Sequence, residues 1–393
     1  MISFSNRIGA LKPSAIREIF KVLEDPSIIS FAGGNPAPET FPAQDLAEIS
    51  AQIFEKQASK ALQYGLTEGY APLRAQVAQR LKEKFSIGTE NDETIIVSGG
   101  QQGVELSCKV LCNESDTVLC EEPSFIGALN AFRSYHTQLV GIPMQEDGMD
   151  LEKLEQALKT HKNVKLLYII STFQNPMGVT TSLQKRKQIY ELAKKYHVII
   201  FEDNPYGELR FAGQDIPTIK SMDKDGIVIY CGSFSKILSP GMRIGFVCAP
   251  KEIVTKLVVA KQISDVHTNL FFQMVVSEYL KQKDIDSHIA EIRTLYRQKN
   301  EAMLQKMDQV LPSSVTYTRP QGGLFIWCDL GAGIDAAAFT KKLLQQKVAV
   351  VPGSTFLTDE TKPCSCIRLN YSMPSFEQID QGIEILGKTI TQQ

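Results

Sequence analysis

The sequence predicts an α/β protein: a large domain with a mostly parallel seven-stranded sheet between helices, followed by a smaller α+β domain. Between residues 94 and 249, seven short runs rich in β-branched and apolar residues alternate with helical patterns. Those runs are apolar almost throughout, as strands covered on both faces are. After about residue 285 the pattern changes to a long charged helical stretch and then isolated strand-like segments, the mark of a second unit.

In chain order, residues 1–45 contain SFAGGNPAPETFP, whose Gly and Pro content reads as an arm that also contributes to the small domain. Residues 46–284 form the large domain. Its strands are TIIV (94–97), TVLC (117–120), QLVGI (138–142), KLLYII (165–170), VIIFED (198–203), IVIYC (227–231) and IGFVCA (244–249). Between them, Val104, Cys108 and Leu111 share one face of a helix over 101–111, and Leu183, Ile189, Leu192 and Tyr196 one face over 183–196. Residues 285–393 form the small domain, with HIAEIRTLYRQKNEAMLQKMDQVL as a connecting helix and GLFIWCDL and CIRLNYS as strands.

With 393 residues the chain has ample core, and 43% hydrophobic with 22% charged residues is ordinary globular composition. A formal net charge of −2 offers no field for nucleic acid or an anionic membrane, so neither is expected as a partner. No apolar run reaches the ~20 residues a bilayer span needs. The eight cysteines form no CxxC pair and have no histidine cluster beside them, so they read as reduced thiols and no metal is expected. The N-terminal stretch lacks a basic start followed by a long apolar segment; no signal peptide is expected, and the cytoplasm is the expected location.

The chemistry concentrates in GSFSKILSPGMRIGF (232–246). A strand-end lysine is ordinarily a solvated side chain. Here Ser233 and Ser235 add hydroxyls, Gly232 permits close backbone approach, and Arg243 adds a permanently charged fork, a set suited to a phosphate. A phosphate beside an amine suggests pyridoxal phosphate, whose aldehyde condenses with a lysine. That cofactor needs a carboxylate for its ring nitrogen and a donor for its ring oxygen. Asp203 ends the strand in VIIFEDNPYGELRF with Tyr206 three residues on, Asn175 follows the strand in KLLYIISTFQNPMG, and TIIVSGGQQGVEL offers the amides of Gly100 and Gln101 at a helix start.

Taken in order, SGGQQ, QNPMG, EDNPYGELRF, GSFSKILSPGMRIGF and IRLNYS resemble the fold-type-I, class I/II aminotransferases dependent on pyridoxal 5'-phosphate, over nearly the whole chain. The resemblance implies that Lys236 is the Schiff-base lysine and later a proton shuttle, and that Asp203 pairs with the ring nitrogen. It implies that Asn175 and Tyr206 bond the ring oxygen, and that Gly100, Gln101, Ser233, Ser235 and Arg243 hold the phosphate. Phe125 stands where relatives often carry a stacking tyrosine. Arg368, assisted by Asn175, would grip the substrate α-carboxylate. Tyr64 matches the tyrosine that reaches the neighbouring subunit's phosphate, which implies a homodimer with shared active sites.

PSAIREIF, SFAGGNPAPETFP and LQYGLTEGYAPLR resemble the 2-aminoadipate and kynurenine aminotransferase branch, which implies Ser14, Arg17 and Gly34 at the substrate mouth. Arg17 could pair with a distal carboxylate and swing out for an aromatic side chain; it is equally compatible with a solvated helix position. The expected reaction moves the α-amino group of 2-aminoadipate, glutamate or an aromatic or kynurenine-like amino acid to a 2-oxo acid, with 2-oxoglutarate as acceptor. A β-lyase or decarboxylating synthase would use the same lysine and aspartate. A transcription regulator with an aminotransferase-like domain would need a DNA-binding domain ahead of a match that begins within the first ~20 residues. No GxGxxG follows a strand, so a dinucleotide site is set aside.

Overall fold

All seven apolar runs become strands of one sheet in the computed structural model, which describes residues 2, 4–9 and 25–392. The strands, in chain order, are β1 (Ile29–Ser30), β2 (Asp92–Val97), β3 (Thr117–Glu122), β4 (Gln138–Gln145), β5 (Gly148–Met149), β6 (Val164–Ile169) and β7 (Ile199–Asp203). There follow β8 (Val228–Ser233), β9 (Gly245–Pro250), β10 (Thr316–Tyr317), β11 (Phe325–Asp329), β12 (Val348–Ala349), β13 (Val351–Pro352) and β14 (Cys366–Asn370).

The large sheet runs β2-β9-β8-β7-β6-β3-β4-β5. Its centre, from β8 to β4, is parallel, and β9 lies antiparallel to both its neighbours. The sheet therefore has eight strands, one more than the apolar runs indicate. The extra one, β5, is a two-residue return antiparallel to β4, too short to leave a periodic signal. Central strands are apolar on both faces because helices cover both: Val118, Cys120 and Tyr168 pack to one side, Leu119, Leu167 and Ile200 to the other.

The helices start and stop for local reasons. Leu151–Thr160 is capped by Asp150 and Ile285–Val310 by Asp284, each carboxylate accepting two backbone amides. Ser375 and Gln378 form a capping box on Phe376–Thr391. In Leu183–Lys195 the expected apolar face is shifted: Leu183 stands 37% exposed, and Arg186, Ile189, Tyr190 and Ala193 are the residues turned inward. Arg186 faces inward because its guanidinium donates to the carbonyls of Ser171 and Thr181, within the loop after β6.

A second, antiparallel sheet runs β10-β11-β14-β13, and β1 pairs in parallel with β12. The Gly/Pro-rich segment is thus more than an arm: Phe31, Ala32 and Ala37 are buried, and the Phe31 carbonyl accepts from the Asn370 amide beside β14. Helix Ile285–Val310 packs along Phe376–Thr391. Among the described residues, no helix is long and apolar enough to cross a membrane, and no group of three or more His, Cys, Asp or Glu stands where it could hold a metal.

Candidate active site

The C-terminal ends of β2, β3, β6, β7 and β8 meet along one sheet edge, where an open α/β sheet gathers ligands. Lys236 follows β8 by three residues. It is half-buried, and its Nζ donates to the Gly34 carbonyl at 2.6 Å. Burial, then the cationic Arg368 and Arg243, pulls its pKa down from 10.5 to about 8. An amine so placed is neutral in a useful fraction of molecules near neutral pH.

Asp203, the last residue of β7, is 6% exposed, and burial raises its pKa to about 6. Its Oδ2 accepts from the Tyr168 hydroxyl at 2.8 Å. No other donor reaches the carboxylate among the described residues. Tyr206 is buried, and burial pushes its phenol well up; the hydroxyl accepts from Asn175 Nδ2 at 3.2 Å. The Asn175 Oδ1 in turn accepts from Arg368 Nη1 at 2.9 Å, while Arg368 Nη2 donates to the Ala32 carbonyl at 2.7 Å. Arg368 is 2% exposed and lies against the rings of Phe325 (4.3 Å) and Phe356 (4.9 Å), with no carboxylate partner among the described residues; burial lowers its pKa to about 10. Its Nε is buried and has no partner among the described residues. A buried guanidinium without an anion is costly, which argues that an anion belongs there.

The phosphate-type set gathers at the starts of two turns. Gly99 has φ +76° and precedes helix Gly100–Leu111, whose first amides have no intrahelical acceptor. A Cβ on Gly99 would lie 2.2 Å from Arg243 Nη2, so only glycine admits that guanidinium, which donates to the Ser98 carbonyl at 3.2 Å. A Cβ on Gly100 would lie 3.7 Å from Asp203 Oδ1, which puts the helix start beside the carboxylate. Ser233 Oγ donates to Ser235 Oγ at 2.9 Å and accepts the Ser235 amide at 3.0 Å. The Gln101 side chain turns away, donating to the Gly127 carbonyl at 2.8 Å, and leaves only its backbone for a ligand.

Phe125 precedes helix Ile126–Ser134 with its ring over Gly127, where a Cβ would come within 2.5 Å. A Cβ on Gly34 would lie 3.3 Å from the Phe325 ring. Tyr64 is 79% exposed, its ring edge-on to His267 at 5.8 Å and away from the other groups. Ser14 and Arg17 lie outside the described residues.

Several contributors were not singled out from the sequence: Tyr168, the Ala32 carbonyl, Phe325, the Gly34 carbonyl as a partner of Lys236, and three buried ionisable side chains that pin the Asn175 loop. Glu121 Oε2 accepts the Ile170 amide (3.0 Å) and Gln174 Nε2 (3.2 Å); burial raises its pKa to about 8. Glu202 accepts the Ser171 hydroxyl at 2.6 Å, and Arg186 holds Ser171, Thr172 and Thr181. For Tyr168, Glu121 and Glu202 the trace in the sequence is a polar residue inside an otherwise apolar strand.

An amine, a buried carboxylate, a phenol paired with a carboxamide, and a glycine turn beside serines and an arginine make the donor set pyridoxal phosphate requires. The glycine cradle and the Arg368 Nε, with no partner among the described residues, fit the phosphate and a carboxylate.

Residues 26–386 match the family model "Aminotransferase class I and II". The chain is 41% identical to aromatic-amino-acid aminotransferase 1 of Thermococcus litoralis over 99% of its own length and 94% of that protein's. It superposes on Pyrococcus horikoshii kynurenine aminotransferase with a TM-score of 0.95 at 40% identity, covering 99% of this chain and 97% of that one. It superposes on the α-aminoadipate aminotransferase LysN of Thermus thermophilus, complexed with N-(5'-phosphopyridoxyl)-L-leucine, with a TM-score of 0.92 at 39% identity, covering 99% and 97%.

Proposed function

Given that the chain belongs to the class I and II aminotransferases, and so transfers amino groups with pyridoxal 5'-phosphate, we propose a division of labour among its residues. The observation that carries it is the Asn175 carboxamide, which joins the Tyr206 phenol to the Arg368 fork. It links the cofactor side of the cleft to the substrate side.

When bound, the cofactor supplies an electron sink that makes the α-proton of an amino acid removable. Lys236 holds the cofactor and, once released, moves the α-proton. Asp203, ionised and oriented by Tyr168, keeps the ring nitrogen protonated. Asn175 and Tyr206 hold the ring oxygen, and Phe125 covers the ring. Gly100 and Gln101 amides, the Ser233 and Ser235 hydroxyls and Arg243 hold the phosphate. Arg368 binds the substrate α-carboxylate, and the Gly34 segment borders the side-chain pocket. Residues 46–284 form the large domain and 285–393, with part of 1–45, the small one.

The donors we propose are 2-aminoadipate, glutamate and aromatic or kynurenine-like amino acids, with 2-oxoglutarate as acceptor, a range supported by what the relatives are named for. Incubation of each donor other than glutamate with 2-oxoglutarate is expected to yield glutamate and the donor's oxo acid without ammonia, and glutamate is tested with a different 2-oxo acid; ammonia release would favour a β-lyase instead. In the same assay Arg368→Lys keeps the charge but loses the fork, so kcat/KM is expected to fall about 10- to 100-fold, mostly through KM. An unchanged KM would remove Arg368 from substrate binding.

We also propose a homodimer in which Tyr64, exposed in the single chain, reaches the neighbouring subunit's phosphate. After complete subunit exchange, an equal mixture of Lys236→Ala and Tyr64→Ala chains is expected to regain roughly a quarter of native activity, since hybrids hold one intact site. No recovery despite demonstrated exchange would place Tyr64 in its own subunit's site, and full activity of the Tyr64→Ala chain alone would place it in none.

A further inference from the structure

We propose that Lys261 and Asp265 are positioning residues that hold the Ser98–Gln101 turn in the shape that receives the cofactor phosphate. The inference rests on the reading that this turn is the phosphate site.

Within the turn Gly99 N donates to the Val97 carbonyl at 2.8 Å and Gln102 N to the Gly99 carbonyl at 3.1 Å, while Ser98 is held through its side chain and amide. Gly99 is the turn's cap and offers no side-chain bond, and Arg243 fills the space above it. Support comes from beneath. Lys261, fully buried at the end of helix Lys251–Gln262, directs Nζ to Asp265 Oδ1 (2.8 Å) and Oδ2 (2.9 Å), Gln102 Oε1 (2.8 Å) and Thr268 Oγ1 (2.9 Å). Asp265 Oδ2 also accepts from Ser98 Oγ and Gln102 Nε2, both at 2.8 Å, and Gln102 Oε1 accepts the Ser98 amide at 2.8 Å. Ser98 is therefore gripped by hydroxyl and amide together, and its carbonyl is the acceptor for Arg243. An unbroken chain of bonds runs from Lys261 to the guanidinium assigned to the phosphate.

Stability alone is a poor account of this cluster. Lys261 is buried and Asp265 half-buried; such a pair can often be replaced by apolar side chains of similar volume at little cost, whereas a satisfied polar network specifies one geometry. The signs matter as well. Asp265 puts a carboxylate under a turn that must accept a dianion; Lys261 cancels that charge while keeping the carboxylate as acceptor for Ser98 and Gln102. The same segment continues to His267, against which the Tyr64 ring lies, so the turn and the proposed intersubunit contact share one support.

The test compares binding of pyridoxal phosphate and of phosphate-free pyridoxal to full-length apoprotein, for wild type, Lys261→Met, Asp265→Asn and the double variant Lys261→Met/Asp265→Leu, with thermal midpoints recorded alongside. The double variant guards against misfolding, because it leaves neither charge unpaired. Affinity for pyridoxal phosphate is expected to drop about 10- to 100-fold in every folded variant, with pyridoxal binding within about twofold of wild type. Loss of thermal stability with the preference for the phosphorylated form intact, or equal losses for both ligands, would overturn the inference. If wild type itself showed no preference for the phosphorylated form, the phosphate assignment of the turn would fail first.

Discussion

Lys236→Ala is expected to lower turnover by about 10⁴-fold, the upper range of what one positioned acid–base group contributes. The same side chain is assigned to hold the cofactor and to move the α-proton, so no neighbour replaces it. Two buried lysines in the neighbouring structure are already committed, Lys261 to Asp265, Gln102 and Thr268 and Lys299 to Glu39 and the Ser372 carbonyl. The Lys236 amine, lowered to about 8 first by burial and then by Arg368 and Arg243, also sets a pH dependence. Only the neutral amine attacks an aldehyde, and a lowered pKa makes that form available earlier as pH rises. Capture of pyridoxal phosphate by the apoprotein should therefore accelerate as pH rises through about 8 and then level off. Stopped-flow absorbance would follow it, and a rate independent of pH between 6 and 10 would contradict the assignment.

Asp203→Asn is expected to reduce kcat by about 10²- to 10³-fold, comparable to removing one preorganised electrostatic contact, while the cofactor stays bound. Asparagine keeps the shape and can still accept from Tyr168, but it cannot hold a proton on the ring nitrogen by charge. Burial raises Asp203 to about 6 in the protein alone, so its carboxylate gains charge as pH rises through that value; a cationic partner draws the pKa down again. The variant should accordingly retain the cofactor's visible absorbance but process it slowly. Equal kcat in variant and wild type would exclude the electron-sink role, and loss of the cofactor altogether would reassign Asp203 to binding.

How much of this was legible in the sequence depended on how local the cause is. The central strands were readable because parallel strands buried on both faces leave continuous apolar runs; KLLYII and VIIFED match β6 and β7 to within a residue or so. The short strands β5 and β12 were not, because a two-residue bridge has no period. The motif residues were readable because Lys236, Asp203 and Asn175 each end or follow a strand, and Arg368 lies within one, in a recognisable string. Their partners were not: Ala32 meets Arg368, Gly34 meets Lys236 and Asp265 meets Ser98 across long stretches of chain. Such pairings are products of topology, and no spacing within one segment encodes them. Tyr168 is intermediate, a hydroxyl in an apolar strand that signals a buried partner without naming it.

The central claim is that Lys236, among all the lysines, is the one that captures the cofactor. The most direct measurement is borohydride reduction of the protein after loading with pyridoxal phosphate, followed by trypsin digestion and mass mapping. The expected result is a single phosphopyridoxyl adduct in the peptide spanning residues 225–243, left uncleaved at Lys236. An adduct on another lysine, or none in a protein that still transfers amino groups, would contradict it.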